Sequence, residues 1–126
     1  MYKIEYAPRA MDDMARAKEY ITLQHGARVA EKSLKKLLSS ARRLEMFPEE
    51  GPRLEALILV PTDYRYLYIR PNYLFYRIEG SCVKVIRILN EQQDFLQILF
   101  GITTDDSDTQ VKKIERFTQT FVEKCD

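Results

Sequence analysis

The first part of the chain changes from a strand pattern to a helix pattern within a few residues. Tyr2, Ile4 and Tyr6 alternate with polar residues, which is the period of a strand with one buried face. From Pro8 to about His25 the apolar residues recur at helical spacing instead, as Ala10, Met14, Ala17 and Ile21. The pattern therefore predicts one strand followed by one helix.

A second helix is predicted over residues 27–47, after a break at Gly26. One of its faces is apolar, with Ala30, Leu34, Leu37, Leu38, Ala41 and Leu44. The opposite face carries a basic stripe made of Lys32, Lys35, Lys36, Arg42 and Arg43. Because the connection between the two helices is so short, we expect them to form an antiparallel hairpin.

The middle of the chain predicts three consecutive strands, over residues 64–70, 73–79 and 82–89. Pro71-Asn72 and Gly80-Ser81 are two-residue connections of the kind that joins strands in hairpins. A short helix is expected to follow the third strand, before Gly101. The three strands should therefore form an antiparallel meander.

Alternation along these strands sorts their side chains onto two faces, if Arg70 lies opposite Tyr73 across the first turn. One face then carries Tyr66, Tyr68, Arg70, Tyr73, Phe75 and Arg77. The other carries Leu67, Ile69, Leu74, Tyr76 and Ile78, and we expect this more apolar face to receive the helical hairpin. The predicted fold class is α+β: two helices on one side of a mostly antiparallel sheet, and an aromatic, arginine-rich face open on the other.

The C-terminal part of the chain has a helical pattern of its own. Residues 105–124 carry an amphipathic stripe behind an acidic start, with Val111, Ile114, Phe117, Phe121 and Val122. An isolated helix of this length is marginal in water unless its stripe is buried. We therefore expect residues 101–126 to be an extension that packs on the domain formed by residues 1–100, or on a second copy in a homodimer. Packing on another partner and the absence of a fixed structure are the alternatives.

Composition narrows the class of protein without naming a function. With 126 residues and a net charge of +1, the chain fits one domain and lacks the bulk positive charge of a nucleic-acid binder. Residues 1–100 have a net charge of +3 and residues 101–126 a net charge of −2. The sequence has no apolar run long enough for a membrane span, no signal-peptide pattern, no metal-ligand spacing and no cofactor motif. We expect a cytoplasmic protein without metal or cofactor.

Several segments, in their order along the chain, resemble one family. They are the helix start APRAMDDM, the turn FPEEGPR, Arg65 at the entry to the sheet, the hairpin NYLFYRIEG and the ending VIRILNEQQDFLQIL. Over residues 1–100 the chain resembles the RelE/ParE superfamily of bacterial type II toxins, also called plasmid stabilisation proteins. The resemblance implies a toxin that inhibits growth unless a cognate antitoxin binds it. One branch of the superfamily cleaves mRNA on the ribosome; the other poisons DNA gyrase and is not a nuclease.

The residues on the sheet bear on the choice between these branches. Cleavage of RNA by its 2′-hydroxyl needs a base, an acid and cations beside the phosphate. Tyr66 and Tyr73 stand where the nuclease branch often has a basic residue, and Asn90, Gln92 and Gln93 stand where it often has basic residues or histidine. An amide neither exchanges a proton near neutral pH nor carries charge. The catalytic candidates that remain are Tyr66, Tyr73, Arg77 and Arg87.

Other residues are candidates for binding a partner or nucleic acid. They are Arg65, Tyr68 and Arg70 on the sheet and Lys32, Lys35, Lys36, Arg42 and Arg43 in the basic stripe. Arg65 lies on the alternation of the buried face, so an anchoring hydrogen bond at the sheet edge is its expected role. Arg77 and Arg87 can instead form ion pairs with Glu79 or Glu91.

Three functions are compatible with these residues. The missing proton-transfer groups favour a ParE-like effector that contacts gyrase and is neutralised by an antitoxin. The alternative is a RelE-like endonuclease that acts on mRNA in the ribosome, with a tyrosine as proton carrier and an arginine as electrostatic clamp. A catalytically silent binding module is the third.

Overall fold

One four-stranded sheet, with a helical hairpin on one face and a smaller apolar cover on the other, makes up the described part of the chain. The structure, a computed structural model, describes residues 1–58 and 60–102. The elements follow in the order β1 (Lys3–Tyr6), α1 (Pro8–His25), α2 (Ala27–Arg42), β2 (Arg65–Ile69), β3 (Asn72–Glu79), β4 (Cys82–Asn90) and α3 (Phe95–Phe100). Two 3₁₀ turns lie at Arg43–Glu45 and Leu54–Ala56. The predicted α+β class is confirmed.

The strands lie side by side in the order β1, β4, β3, β2. The meander β2, β3 and β4 is antiparallel, as predicted, whereas β1 is parallel to β4. The helical hairpin makes the parallel pairing possible, because it carries the chain away from the end of β1 before the meander begins. The two edges of the sheet are therefore β1 and β2.

The face of the sheet that was predicted to receive the helices does so. Leu74 and Tyr76 of β3 are fully buried there, together with Val83 and Val85 of β4. From the helical side they meet Ala10, Leu37, Ala41 and Leu44, which are also buried. Gly26, with φ of +94°, lets the chain turn between α1 and α2, and its N–H donates to the Thr22 carbonyl at 2.9 Å.

The first hairpin differs in register from the prediction. Tyr73 lies opposite Tyr68 rather than Arg70, and the connection is Arg70-Pro71 rather than Pro71-Asn72. A shift of two residues leaves every side chain on the face it was given, because the side-chain period of a strand is two. The second connection, Gly80-Ser81, is as predicted.

Strand β4 contains a bulge that alternation does not predict. Phe75 lies opposite Arg87, but the next residue, Tyr76, lies opposite Val85, so Ile86 is an extra residue. A bulge changes which face the following residues point to. Val85 and Ile88 therefore both contact the helical layer, although three positions separate them.

A latch formed by Tyr76 and Arg65 joins the end of the helical layer to the sheet. The Tyr76 hydroxyl donates to the Pro48 carbonyl at 2.7 Å and accepts from the Gly51 N–H at 3.0 Å. The Arg65 guanidinium donates to the Gly51 carbonyl at 2.8 Å. The anchoring role expected for Arg65 is thus present at the edge strand β2.

Removing the hydroxyl of this latch is expected to destabilise the protein. The Tyr76→Phe variant leaves the Gly51 N–H and the Pro48 carbonyl without their partner, which should lower the free energy of unfolding by about 2 kcal/mol. Urea denaturation measures the loss. In the control variant Tyr20→Phe, whose side chain is exposed, a change below about 0.5 kcal/mol is expected. Equal losses in the two variants would show that the latch carries no stability.

The short helix predicted before Gly101 is confirmed as α3. Asp94 caps it, since its carboxylate accepts from the Gln97 N–H at 3.2 Å. The further helix predicted over residues 105–124 lies outside the described residues. The division into a domain of residues 1–100 and an extension of residues 101–126 stays a prediction.

Candidate functional site

The face of the sheet that was predicted to be open is covered. Tyr73 and Phe75 are fully buried and Tyr66 is 3% exposed. The cover comes from the segment before β2 and from α3, through Leu54, Leu57, Ile58, Val60, Phe95 and Leu96. Tyr73 meets Phe95 edge to face, with 5.5 Å between ring centroids. The prediction of an exposed aromatic surface is wrong.

The reason is that both covering segments are themselves apolar. Burying a large apolar side chain contributes roughly 1.5–3 kcal/mol, and aromatic pairs add to this when they meet at an angle. A sheet face with Tyr66, Tyr73 and Phe75 is more stable against α3 than against water. The aromatic residues on this face therefore form a second core.

Arg87 is held away from these tyrosines by an ion pair with α1. Its guanidinium donates twice to the Asp13 carboxylate, at 2.7 and 2.9 Å, and Asp13 also accepts from the Ile88 N–H at 2.9 Å. Asp13 is 6% exposed. The hydrogen bond to Asp13 raises the pKa of Arg87, so its charge stays fixed. Glu91, the partner that was expected, does not fill this role.

The other candidates on the meander also have partners. Arg77 lies 2.9 Å from the Asp63 carboxylate and 3.6 Å from that of Glu79, the acid expected for it. The Tyr68 hydroxyl donates to Glu91 at 2.8 Å. Arg70 is exposed at the hairpin turn. The structure thus brings Tyr66, Tyr68 and Tyr73 together, but not with Arg87.

The amide-rich segment after β4 forms a turn. The Asn90 N–H donates to the Gln93 side-chain oxygen at 2.7 Å, and the Gln92 N–H donates to the Asn90 side chain at 2.8 Å. These bonds shape the chain between β4 and α3. They give the side-chain amides of Asn90 and Gln93 a structural role beside the covered face.

The predicted basic stripe on α2 is exposed, and so is Arg43 just after the helix. Lys32, Lys35, Lys36, Arg42 and Arg43 all lie on the surface. Arg43 is paired with Glu50, and Arg42 is 3.8 Å from Glu45. Surface pairs of this kind contribute little to stability. The five cations of the stripe outnumber the two carboxylates, of Glu45 and Glu50, that pair with them.

A groove runs between this helix and the edge strand β1. It has a volume of about 470 Å³ and is lined by Ile4, Tyr6, Lys35, Leu38, Ser39, Arg42 and Glu45. Leu38 is 44% exposed there. Beyond the end of the helix, a second groove of about 640 Å³ includes Tyr2 and Phe47, which is 60% exposed. A groove with apolar side chains at its base and cationic side chains at its rim suits a segment that carries both apolar and acidic side chains.

The sequence reasoning did not identify Asp13 or the groove. Asp13 lies three residues after Ala10 and four before Ala17, so it belongs to the buried stripe of α1. An acidic residue in an apolar stripe needs a buried partner, and this was the available signal. The groove was missed because the sequence pattern assigned Leu38 to the buried apolar face of α2, whereas it is exposed.

The matching family model is that of the ParE toxin of type II toxin–antitoxin systems, over residues 4–95. The chain belongs to this family. Residues 4–95 include both long helices and all four strands apart from Lys3, and they end at the first residue of α3. This ParE-family chain is thus a type II toxin, and a cognate antitoxin is its expected partner. No curated protein matches it.

Among solved structures, a ParDE chain has the same fold. This chain of the chromosomal ParDE system from P. aeruginosa is similar with a TM-score of 0.62 and 18% identity, over 71% of the present chain and 96% of its own length. YafQ from E. coli and a point mutant of YafQ match more loosely, with TM-scores of 0.41 and 0.43. Their identities are 18% and 19%, over 80% of the present chain and all of theirs.

Residues 1–58 and 60–102 contain neither a candidate membrane span nor a candidate metal site. None of the helices there combines the length and apolar character of a membrane span. No group of three or more His, Cys, Asp or Glu side chains in this part of the ParE-family chain is placed to hold a metal ion.

Proposed function

We propose that this ParE-family toxin acts by contact with a protein target, of which DNA gyrase is the first to test, and does not cleave RNA. The observation that carries the proposal is the covered sheet face. Tyr73 is 0% and Tyr66 3% exposed, so neither hydroxyl can reach a ribose without removal of α3. A general base has to lie within hydrogen-bond distance of the proton it accepts.

The cations support the same proposal. Arg87 is committed to the buried carboxylate of Asp13, and Arg77 faces two acids, Asp63 and Glu79. A cation neutralised by carboxylates offers less stabilisation to the extra negative charge of a phosphorane. With the candidate bases buried and the candidate clamps paired, the face is poorly equipped for phosphoryl transfer.

The antitoxin is proposed to bind the basic stripe and the groove beside it. Cognate antitoxins that fold on binding would supply acidic side chains to Lys35 and Arg42 and an apolar side chain to Leu38. The charge reversals Lys35→Glu and Arg42→Glu, made together, should weaken antitoxin binding at least about tenfold. In the matched control, the exposed α1 residue is reversed in Lys18→Glu, and affinity should stay within about twofold.

The target is tested with the purified chain on gyrase and on programmed ribosomes in parallel. We expect inhibition of supercoiling, and no new mRNA ends when the message is mapped by primer extension. Cuts in the message that disappear in Tyr73→Phe and Arg77→Ala would instead assign the RelE-like endonuclease. Normal growth on induction without antitoxin, with neither effect in vitro, would assign the silent binding module.

A further inference from the structure

The outer edge of β1 is open, in contrast to the other edge of the sheet. Lys3, which begins β1, donates its N–H to the Ser81 carbonyl just before β4 at 3.1 Å, and Ala7, just after β1, donates to the Val85 carbonyl of β4 at 2.9 Å. The N–H groups of Ile4 and Tyr6, between these positions, therefore point away from the sheet. Within residues 1–58 and 60–102, no backbone bond to these two groups is formed from outside the sheet. The Tyr2 N–H, also on this side, donates to the Glu45 carbonyl at 2.8 Å.

Strand β2, the opposite edge, is protected along its first half. The Tyr66 N–H donates to the Pro52 carbonyl at 3.2 Å, and the Leu54 N–H donates to the Tyr64 carbonyl at 3.0 Å. Natural sheets usually cover, charge or shorten their edges, because an open edge is a template for another strand. β1 is short and carries the exposed charges of Lys3 and Glu5, which hinder pairing with an unrelated strand but suit a strand with the complementary charges.

The residues of this edge are self-complementary. Tyr2 to Tyr6 read Tyr-Lys-Ile-Glu-Tyr, which is symmetric about Ile4 except that the two flanking charges have opposite sign. If two copies pair antiparallel with Ile4 opposite Ile4, Lys3 of each copy lies opposite Glu5 of the other. Any shift of this register by two residues brings a like-charge pair together or leaves the charges unmatched.

The hydrogen-bonding pattern fits this register. In an antiparallel pair, residues whose N–H and C=O groups point across the gap exchange both bonds, and the residues between them bring their side chains closer. The backbone N–H and C=O groups of Ile4 point away from β4, so the two Ile4 residues at the centre would exchange both hydrogen bonds. Lys3 and Glu5 point their backbone toward β4, so they would form the close side-chain pairs. The Tyr2 N–H of each copy would donate to the Tyr6 carbonyl of the other copy. This bond would replace the one that the Tyr2 N–H makes to the Glu45 carbonyl of its own chain.

The charges of the neighbouring strand extend the same order. Glu5 is in register with Lys84 of β4, and Lys3 and Glu5 are both exposed. Across the junction, neighbouring strands would then carry Lys84, Glu5 and Lys3 of the second copy side by side, so the charges alternate in sign. On the helical side, the second copy would cover the half-buried Ile4.

We propose that the chain forms a symmetric homodimer through β1, in which two sheets join edge to edge with Ile4 at the two-fold axis. This inference goes beyond the proposed function, because it requires neither the target nor the antitoxin. Sedimentation equilibrium of the purified full-length chain over a concentration series should show a reversible monomer–dimer equilibrium.

Charge reversal tests the register. In Lys3→Glu a carboxylate faces Glu5 of the second copy, and in Glu5→Lys an ammonium faces Lys3, so each variant alone should dimerise about tenfold more weakly. An equimolar mixture should form heterodimers with an affinity within about threefold of the parent, because each junction then has only opposite charges.

Two controls separate the interface from folding and from other surfaces. Thermal unfolding shows whether each variant is folded, and Lys18→Glu applies the same charge change on α1 and should leave the dimer unchanged. A chain that is monomeric throughout the series would overturn the proposal. So would a dimer that is insensitive to Lys3→Glu, or two weakened variants whose mixture is no tighter than either alone.

Discussion

Replacing Arg87 with Ala is expected to lower the free energy of unfolding by about 3–5 kcal/mol, because it leaves the buried Asp13 carboxylate without its main partner. Asp13 is 4% exposed at its side chain and Arg87 13%, so water cannot take over the two lost bonds without opening the α1–β4 contact. Denaturation in urea, monitored by circular dichroism, measures the change. Losses this large approach the whole stability of a small domain.

A second arginine on the same carboxylate provides the control. Arg16 lies 3.2 Å from Asp13, but its side chain is 70% exposed, so Arg16→Ala should cost less than about 1 kcal/mol. In Asp13→Asn, the amide oxygen can still accept from the Ile88 N–H, and Arg87→Met in that background should cost less than Arg87→Ala alone. Similar losses of unfolding free energy in Arg16→Ala and Arg87→Ala would show that burial does not determine how much an ion pair with Asp13 stabilises the protein.

The Asp13–Arg87 pair also has a consequence for function. It connects α1 to the bulged part of β4, 74 residues away along the chain. Through α1 it holds the helical hairpin on which the basic stripe lies. Loss of antitoxin binding in Arg87→Ala would then follow from displacement of that hairpin, whereas in Lys35→Glu with Arg42→Glu it would follow from charge at the surface itself.

Most of the fold follows from local pattern. The change of period between Tyr6 and Pro8, the break at Gly26 and the turn at Gly80-Ser81 are each decided by neighbouring residues, and each was predicted where the structure has it. The faces of β2 and β3 were also predicted, because an error of two residues in register conserves them. The parallel pairing of β1 with β4 is different, since it depends on how the hairpin returns the chain.

The state of the second sheet face was not predictable from alternation alone. Alternation shows which side chains share a face, but it does not show whether distant segments cover that face. Here Leu54 and Phe95 bury Tyr73 and Phe75 from two separate parts of the chain. Likewise, the bulge at Ile86 depends on how β4 fits both of its neighbours, which alternation along one strand does not show.

The covered face also changes what supports the choice of function. The missing histidine and basic residues in the segment after β4 first favoured a protein that is not a nuclease. The structure adds a physical obstacle, since a substrate would have to displace Phe95 to reach Tyr73. Family membership rests on the match over residues 4–95 and does not depend on an open face.

The Gly51→Ala substitution is expected to have a comparably large effect, about 3 kcal/mol or more, for a steric reason. A Cβ atom there would overlap the Tyr66 carbonyl oxygen and would lie 2.7 Å from the Tyr76 hydroxyl. The first of these atoms belongs to the backbone of an edge strand and cannot move alone. The methyl group would therefore push the Pro48–Gly51 turn away from the sheet and break the bonds of Tyr76 and Arg65.

Gly80→Ala separates this effect from the general cost of replacing glycine. No heavy atom lies within 4 Å of a Cβ at Gly80, and the residue has φ of +59°, so only the cost of a left-handed alanine, about 1 kcal/mol, is expected. Combining Gly51→Ala with Tyr76→Phe removes the hydroxyl contact but leaves the carbonyl contact, and should not restore stability. The combined variant could instead be as stable as Tyr76→Phe alone. The backbone of β2 would then have moved to make room for the methyl group. In that case the close contact at Gly51 would not be needed to hold the turn against the sheet.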